Sequence, residues 1–99
     1  MVKLNINLSR RGKRGTENNK QLNEFMETLL RIKSKEEMQD FLQGIMTPKE
    51  LLEFPHRLAI IKMLKKGISH HDIAGKLGVG IATVTRGSRE LQKGRFRNI

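Results

Sequence analysis

Apolar residues recur along most of this chain at the spacing of a helix rather than of a strand. Leu22, Phe25, Met26, Leu29 and Leu30 occupy the i, i+3, i+4, i+7, i+8 positions of one face and predict an amphipathic helix over 22–33. Ser34-Lys35-Glu36-Glu37 then has the form of a capping box, serine as N-cap and glutamate three residues on. It opens a short helix that turns Met38, Phe41 and Leu42 inward. Thr47-Pro48-Lys49-Glu50 repeats the device, with proline at the first helical position, where its missing N–H costs nothing. This helix is expected to run to Lys66 and stop at Gly67, with Leu51, Leu58, Ile61 and Leu64 among its buried residues. Pro55 lies inside it and predicts a kink or a break, because it removes a donor and crowds the carbonyl four residues back.

The stretch HHDIAGKLGVGIATVTRGS, residues 70–88, reads as a helix-turn-helix. Ser69 caps its first helix, with Asp72 placed to complete a capping box. Ile73 and Leu77 lie four apart and bury together, while Ala74 between them lets a second helix cross closely. Gly78 follows the last apolar residue, where a left-handed residue ends a helix without steric penalty. Val79 and Val84 supply contacts back onto the first helix, and the second is expected over 81–93. Ile81, Ala82 and Thr83 begin that reading helix, where backbone donors face phosphates and side chains approach base edges. Thr83, Thr85 and Ser88 are expected to donate to phosphate. Lys65, Lys66, Lys76, Arg89 and Lys93 are read as sequence-blind phosphate partners.

Only the N-terminus reads otherwise. Val2, Leu4, Ile6 and Leu8 alternate as in a strand, and a glycine-spaced basic cluster follows at Arg10, Arg11, Lys13 and Arg14. Three regions result: a basic flexible arm (1–16), a helical dimerisation or core region (17–66) and the helix-turn-helix (67–99). The arm is either a solvated tail or a segment that touches DNA phosphates or follows the minor groove. Helix 22–33 is a candidate dimer element, because the apolar faces before the motif exceed what one helix-turn-helix can cover; an ordinary intramolecular core is the alternative. The fold class read from these elements is all-α: a small helical domain with a C-terminal helix-turn-helix, with a homodimer expected.

Charge agrees with a polyanionic partner. The net charge of +10 is distributed as +5 over 1–20, −3 over 21–53 and +8 over 54–99, so the C-terminal excess coincides with the proposed reading helix. At 99 residues the chain buries a modest core, for which association is a usual remedy. It has no cysteine, which excludes disulfides and thiolate metal sites. No apolar run approaches the roughly 20 residues of a membrane span, and no secretory signal is legible; the expected setting is a bacterial cytoplasm without membrane partners. His70 and His71 are adjacent and cannot both face one metal from a helix, so no metal is expected. The glycines of 78–80 lack the GK[ST] of a phosphate loop, and no nucleophile, base and orienting acid are grouped, so the chain is not read as an enzyme. Four Phe with neither Trp nor Tyr leave few platforms for single-stranded nucleic acid.

GIATVTRGS (80–88), with MTPKE (46–50) and HRLAIIKMLKKGIS (56–69), resembles the Trp repressor family; the likeness covers about 46–91, and helices over 22–45 match in pattern. Helix-turn-helix docking and water-mediated base contact are established features of that family rather than readings of these residues. The resemblance implies a repressor, an intertwined homodimer, that binds a double-stranded DNA operator with L-tryptophan as corepressor. The family holds an indole ring between two arginines, matched here by Arg57 and Arg86. Its threonine from the partner subunit, which meets the ligand carboxylate, matches Thr47, and the carbonyls that receive the ammonium match Gly44 and Met46. Gly87 matches a glycine that leaves room for the ligand. His71 stands where the family has an arginine that reads a guanine.

This sequence departs from the family at four places. Glu90 replaces a serine beside the bound amino acid, where a carboxylate attracts the ammonium or repels the carboxylate. Pro55-His56 replaces Gly-Thr before Arg57, the segment after Gly67 is one residue shorter, and the sequence stops at Ile99 where the family continues into a dimer-closing helix. Two rival readings remain at this point: a Trp-repressor-like DNA-binding regulator with a different or no small-molecule ligand, and the DNA-targeting head of a recombination enzyme.

Overall fold

The computed structural model describes the backbone from Gly12 to Ile99 and side chains from Glu17 onward. Five helices account for it: α1 (Gly12–Arg31), α2 (Lys35–Ile45), α3 (Pro48–Lys65), α4 (His70–Leu77) and α5 (Ile81–Gln92). No strand occurs among the described residues, as the all-α reading requires. The strand-like alternation at 2–8 lies outside them. α1 begins ten residues ahead of the expected start, so 12–16, assigned to the arm, are its first turns. The stretch lacks apolar residues but carries no proline to stop a helix, so periodicity alone could not find its start.

The chain divides into two compact units between Leu42 and Gln43. In the first, Phe25 of α1 meets Phe41 of α2 with ring centroids 6.2 Å apart. The Ser34 hydroxyl caps α2, accepting from the Glu37 N–H at 3.0 Å. Leu30, at the end of the same apolar face, is 84% exposed.

The second unit, Gln43–Ile99, is built on α3, which packs with both α4 and α5. The compact unit thus takes in α3, where the sequence reading divided the chain at 66/67. Thr47 starts α3 with a complete capping box: its hydroxyl accepts from the Glu50 N–H, and the Glu50 carboxylate accepts from the Thr47 N–H at 2.9 Å. The bonds that Thr47 donates to the Glu50 carboxylate, from its N–H first and then from its hydroxyl, lower the Glu50 pKa, against a smaller opposing effect of burial. α3 continues through Pro55 without a break, contrary to one expectation. Its neighbours hold the helix: the next turn carries Ile60 and Ile61, 1% and 4% exposed, into the core.

One residue from each helix forms that core: Ile60, Ile73 and Val84, ringed by Met63, Leu64, Ile68, Ala74, Leu77 and Val79. Leu58, expected inside, is 43% exposed. The run LAIIKML is apolar on several faces at once, so periodicity could not decide which residue turns inward. Ser69 caps α4 by accepting from the Asp72 N–H at 3.2 Å, half of the box expected there. Gly78 ends α4 with φ 66° and ψ 35°, its N–H donating to the Ala74 carbonyl.

At Gly87 α5 meets α3 directly. A Cβ there would lie 3.2 Å from both Ile60 Cγ2 and Ile61 Cδ1. Both isoleucines are pinned by burial, so they yield little. Gly87→Ala gains about 1 kcal/mol of helix propensity but costs about 1–3 kcal/mol in overpacking. The expected result is a net loss of about 1 kcal/mol, read as a melting temperature lowered by roughly 4–8 °C.

Candidate functional site

Between α3 and α5 lies an open cleft of about 390 Å³. That is within the roughly 300–1,000 Å³ usual for small-molecule sites. Arg57 and Leu58 line it from α3, with Ile60 and Ile61 behind them; Thr83, Arg86, Gly87 and Glu90 line it from α5. Phe54 and Phe96 complete the wall. Arg57 and Arg86, twenty-nine positions apart in sequence, therefore face one cavity. The spacing of the helices does this: Gly87 lets α5 approach closely enough for the neighbouring Arg86 to reach a cleft shared with α3.

The electrostatics of the cleft are lopsided. Two arginines line it, and Glu90, the carboxylate among its lining residues, is already held. Lys93 Nζ lies 3.1 Å from one Glu90 oxygen, and Arg95 Nε lies 2.6 Å from the other. The Lys93 hydrogen bond, followed by that of Arg95, depresses the Glu90 pKa against an opposing effect of burial. The cleft therefore presents Glu90 as an ionised carboxylate already paired with two cations, not as a bare anion. On the other side Arg57 sits 5.4 Å from the Phe54 ring centroid, in cation–π contact.

Thr47, Gly44 and Met46 do not line this cleft. The Thr47 hydroxyl donates to Glu50 Oε1 at 3.1 Å within its own capping box, a bond it must release to donate elsewhere. Gly44 lies in the last turn of α2 with open space around it. Gly87 does line the cleft, but its missing Cβ faces Ile60 and Ile61, so its first duty is helix packing.

The residues assigned to DNA divide into three groups. His71, Lys76, Ile81, Ala82 and Arg89 are exposed on α4 and α5, and Lys76 and Arg89 have no ion-pair partner among the described residues. Thr83 is exposed and lines the α3–α5 cleft as well. Others are engaged inside the protein. The Thr85 hydroxyl donates to the Ile81 carbonyl at 3.0 Å, which leaves it an acceptor rather than the phosphate donor expected. Lys93 is paired with Glu90, and Lys65 donates to the Phe96 and Ile99 carbonyls. Ser88 is half-buried.

A family model described as Trp repressor protein matches residues 20–97. The chain belongs to the Trp repressor family. Among its relatives, "Uncharacterized protein YerC" of Bacillus subtilis (strain 168) is 31% identical over 75 residues, 76% of this chain and 72% of that protein. "Trp operon repressor homolog" of Vibrio vulnificus (strain YJ016) is 49% identical over 52 residues, and the match spans only about half of each chain, 52% and 51%. A protein of the same name from Vibrio atlanticus (strain LGP32) is 38% identical over 77 residues, 77% of this chain and 76% of its own.

In this Trp repressor family chain, sequence reasoning missed the apolar lining of the cleft, Leu58, Ile60 and Ile61, and its two aromatic residues, Phe54 and Phe96. Phe54 had a legible signal: it precedes Arg57 by three residues and so shares its helix face. Phe96 had none, since its place depends on how the segment after α5 folds back.

Proposed function

We propose that this chain is a sequence-specific DNA-binding transcriptional repressor that acts as a homodimer, with L-tryptophan as corepressor, on tryptophan-related genes. The observation that carries this reading is the convergence of Arg57 and Arg86 on one cleft with an apolar floor. Guanidinium planes stack on an aromatic face and still bind a carboxylate through their fork. Thr47, Gly44 and Met46 do not line the chain's own cleft, in keeping with a second copy supplying them. Arg86 sits five residues from the start of α5, so a ligand that favours one position of Arg86 biases the orientation of the whole reading helix. The homologues named for the trp operon support the same reading.

DNA would be met by α5 and by the basic surface around it. The Trp repressor is itself one of the established cases of this docking. Lys76, exposed and without an ion-pair partner among the described residues, is then a phosphate contact. Lys76→Ala is expected to weaken binding evenly across sequences and to lower the slope of log K against log salt by about 1. An unchanged slope removes Lys76 from the interface.

The deciding experiment uses composition. The chain contains neither Trp nor Tyr, so added L-tryptophan reports on itself by fluorescence anisotropy. It is titrated into the protein alone and with a duplex selected from a random library. Saturable binding that tightens with duplex supports the reading; a flat titration refutes it. A second reading, a regulator of the same family with another ligand or none, is favoured by Phe54, whose ring already covers one face of Arg57.

A further inference from the structure

We propose that Phe96 is a ligand-contacting residue, the wall against which an aromatic ring packs in the Arg57–Arg86 cleft. The proposal rests on the reading of that cleft as an aromatic-ligand site. Phe96 lies beyond α5 and lines the same cavity as the two arginines. It is the one residue other than glycine with positive φ among those described, at 63°. A bulky side chain holds that conformation only where its surroundings over-determine it.

They do so here from both sides. On the α5 side the Gly94 N–H donates to the Leu91 carbonyl at 2.9 Å, and the Arg95 N–H to the Glu90 carbonyl at 3.2 Å. The Arg95 side chain closes the same loop on the Glu90 carboxylate. On the α3 side Lys65 Nζ donates to the Phe96 carbonyl. Residues 94–96 thus bind α5 to α3 at the edge of the cleft, with a phenyl ring half-buried within it. A segment that merely trailed into solvent would relax out of the left-handed region. With Phe54, the cavity has two phenyl rings and two guanidinium groups over Leu58, Ile60 and Ile61. That lining suits a planar aromatic ligand carrying an anionic group, since ring edges and faces pair with phenyls while cations take the faces.

The test compares the full-length chain with Phe96→Ala, Phe96→Leu and Phe96→Tyr, each checked for folding by circular dichroism. Two probes are titrated: L-tryptophan, and the aromatic sulfonate 1-anilinonaphthalene-8-sulfonate. Phe96→Ala is expected to weaken binding about tenfold, Phe96→Leu by less, and Phe96→Tyr to restore it. Lys65→Met, which frees the Phe96 carbonyl without altering the cleft lining, is expected to weaken binding in the same direction. Should Phe96→Ala fail to fold, the leucine and tyrosine variants decide. Equal affinity in the folded variants overturns the proposal and leaves the corepressor reading intact. If the sulfonate binds in a manner lost in Arg86→Ala while tryptophan does not bind, the corepressor reading falls and Phe96 is judged on the sulfonate. A chain that takes up neither probe overturns both.

Discussion

Arg86→Ala is expected to abolish the response of duplex binding to L-tryptophan. Removing the guanidinium takes away a cation–π face and a charged hydrogen bond, together about 2–4 kcal/mol, or roughly 30- to 1,000-fold in affinity. Arg86→Lys restores the charge but not the planar fork, so it is expected to recover little. Arg57→Ala provides the contrast. Arg57 already rests on Phe54, 5.4 Å from its centroid, so its loss leaves that ring free to meet the ligand and the expected effect is smaller. Anisotropy titration measures both, and circular dichroism verifies the fold. Tryptophan-dependent duplex binding that survived Arg86→Ala would exclude this cleft as the corepressor site.

The second large effect is on folding. Ile73 is 0% exposed and joins α4 to Ile60 of α3 and Val84 of α5. Ile73→Ala is expected to cost about 2–5 kcal/mol, a large share of the 5–15 kcal/mol typical of a small protein. Chemical denaturation is the check, read as a lower midpoint at unchanged slope. Because Ile60 both packs with Ile73 and lines the α3–α5 cleft, the same variant is expected, under the proposed function, to weaken ligand and DNA binding together. A loss under 1 kcal/mol would mean that α4 is held by something other than this cluster.

These two residues mark what a sequence discloses. Ile73, with Leu77, Gly78 and Val84, was legible because helix, turn and helix are close in sequence and each residue type has a local reason. The caps at Ser34, Thr47 and Ser69 were legible on the same grounds, as each hydroxyl meets an N–H three residues away. Arg57 and Arg86 were named only through likeness to a family, since no local rule brings together residues on separate helices. Phe96 was not legible at all. Lys65 and Thr85 show the opposite side: polar residues in a basic region were read as phosphate partners, and in the structure each donates to a backbone carbonyl of the protein. Which of two available acceptors a donor chooses is settled by tertiary geometry.

The bare backbone at Gly87 also sets a mechanical ratio. With Ile60 and Ile61 seated against it, this point is the natural fulcrum of α5. Ile81 lies six residues to one side and Glu90 three to the other, about 9 and 4.5 Å along the axis. Any tilt about that seat carries the N-terminal tip of the helix twice as far as Glu90, and in the opposite sense.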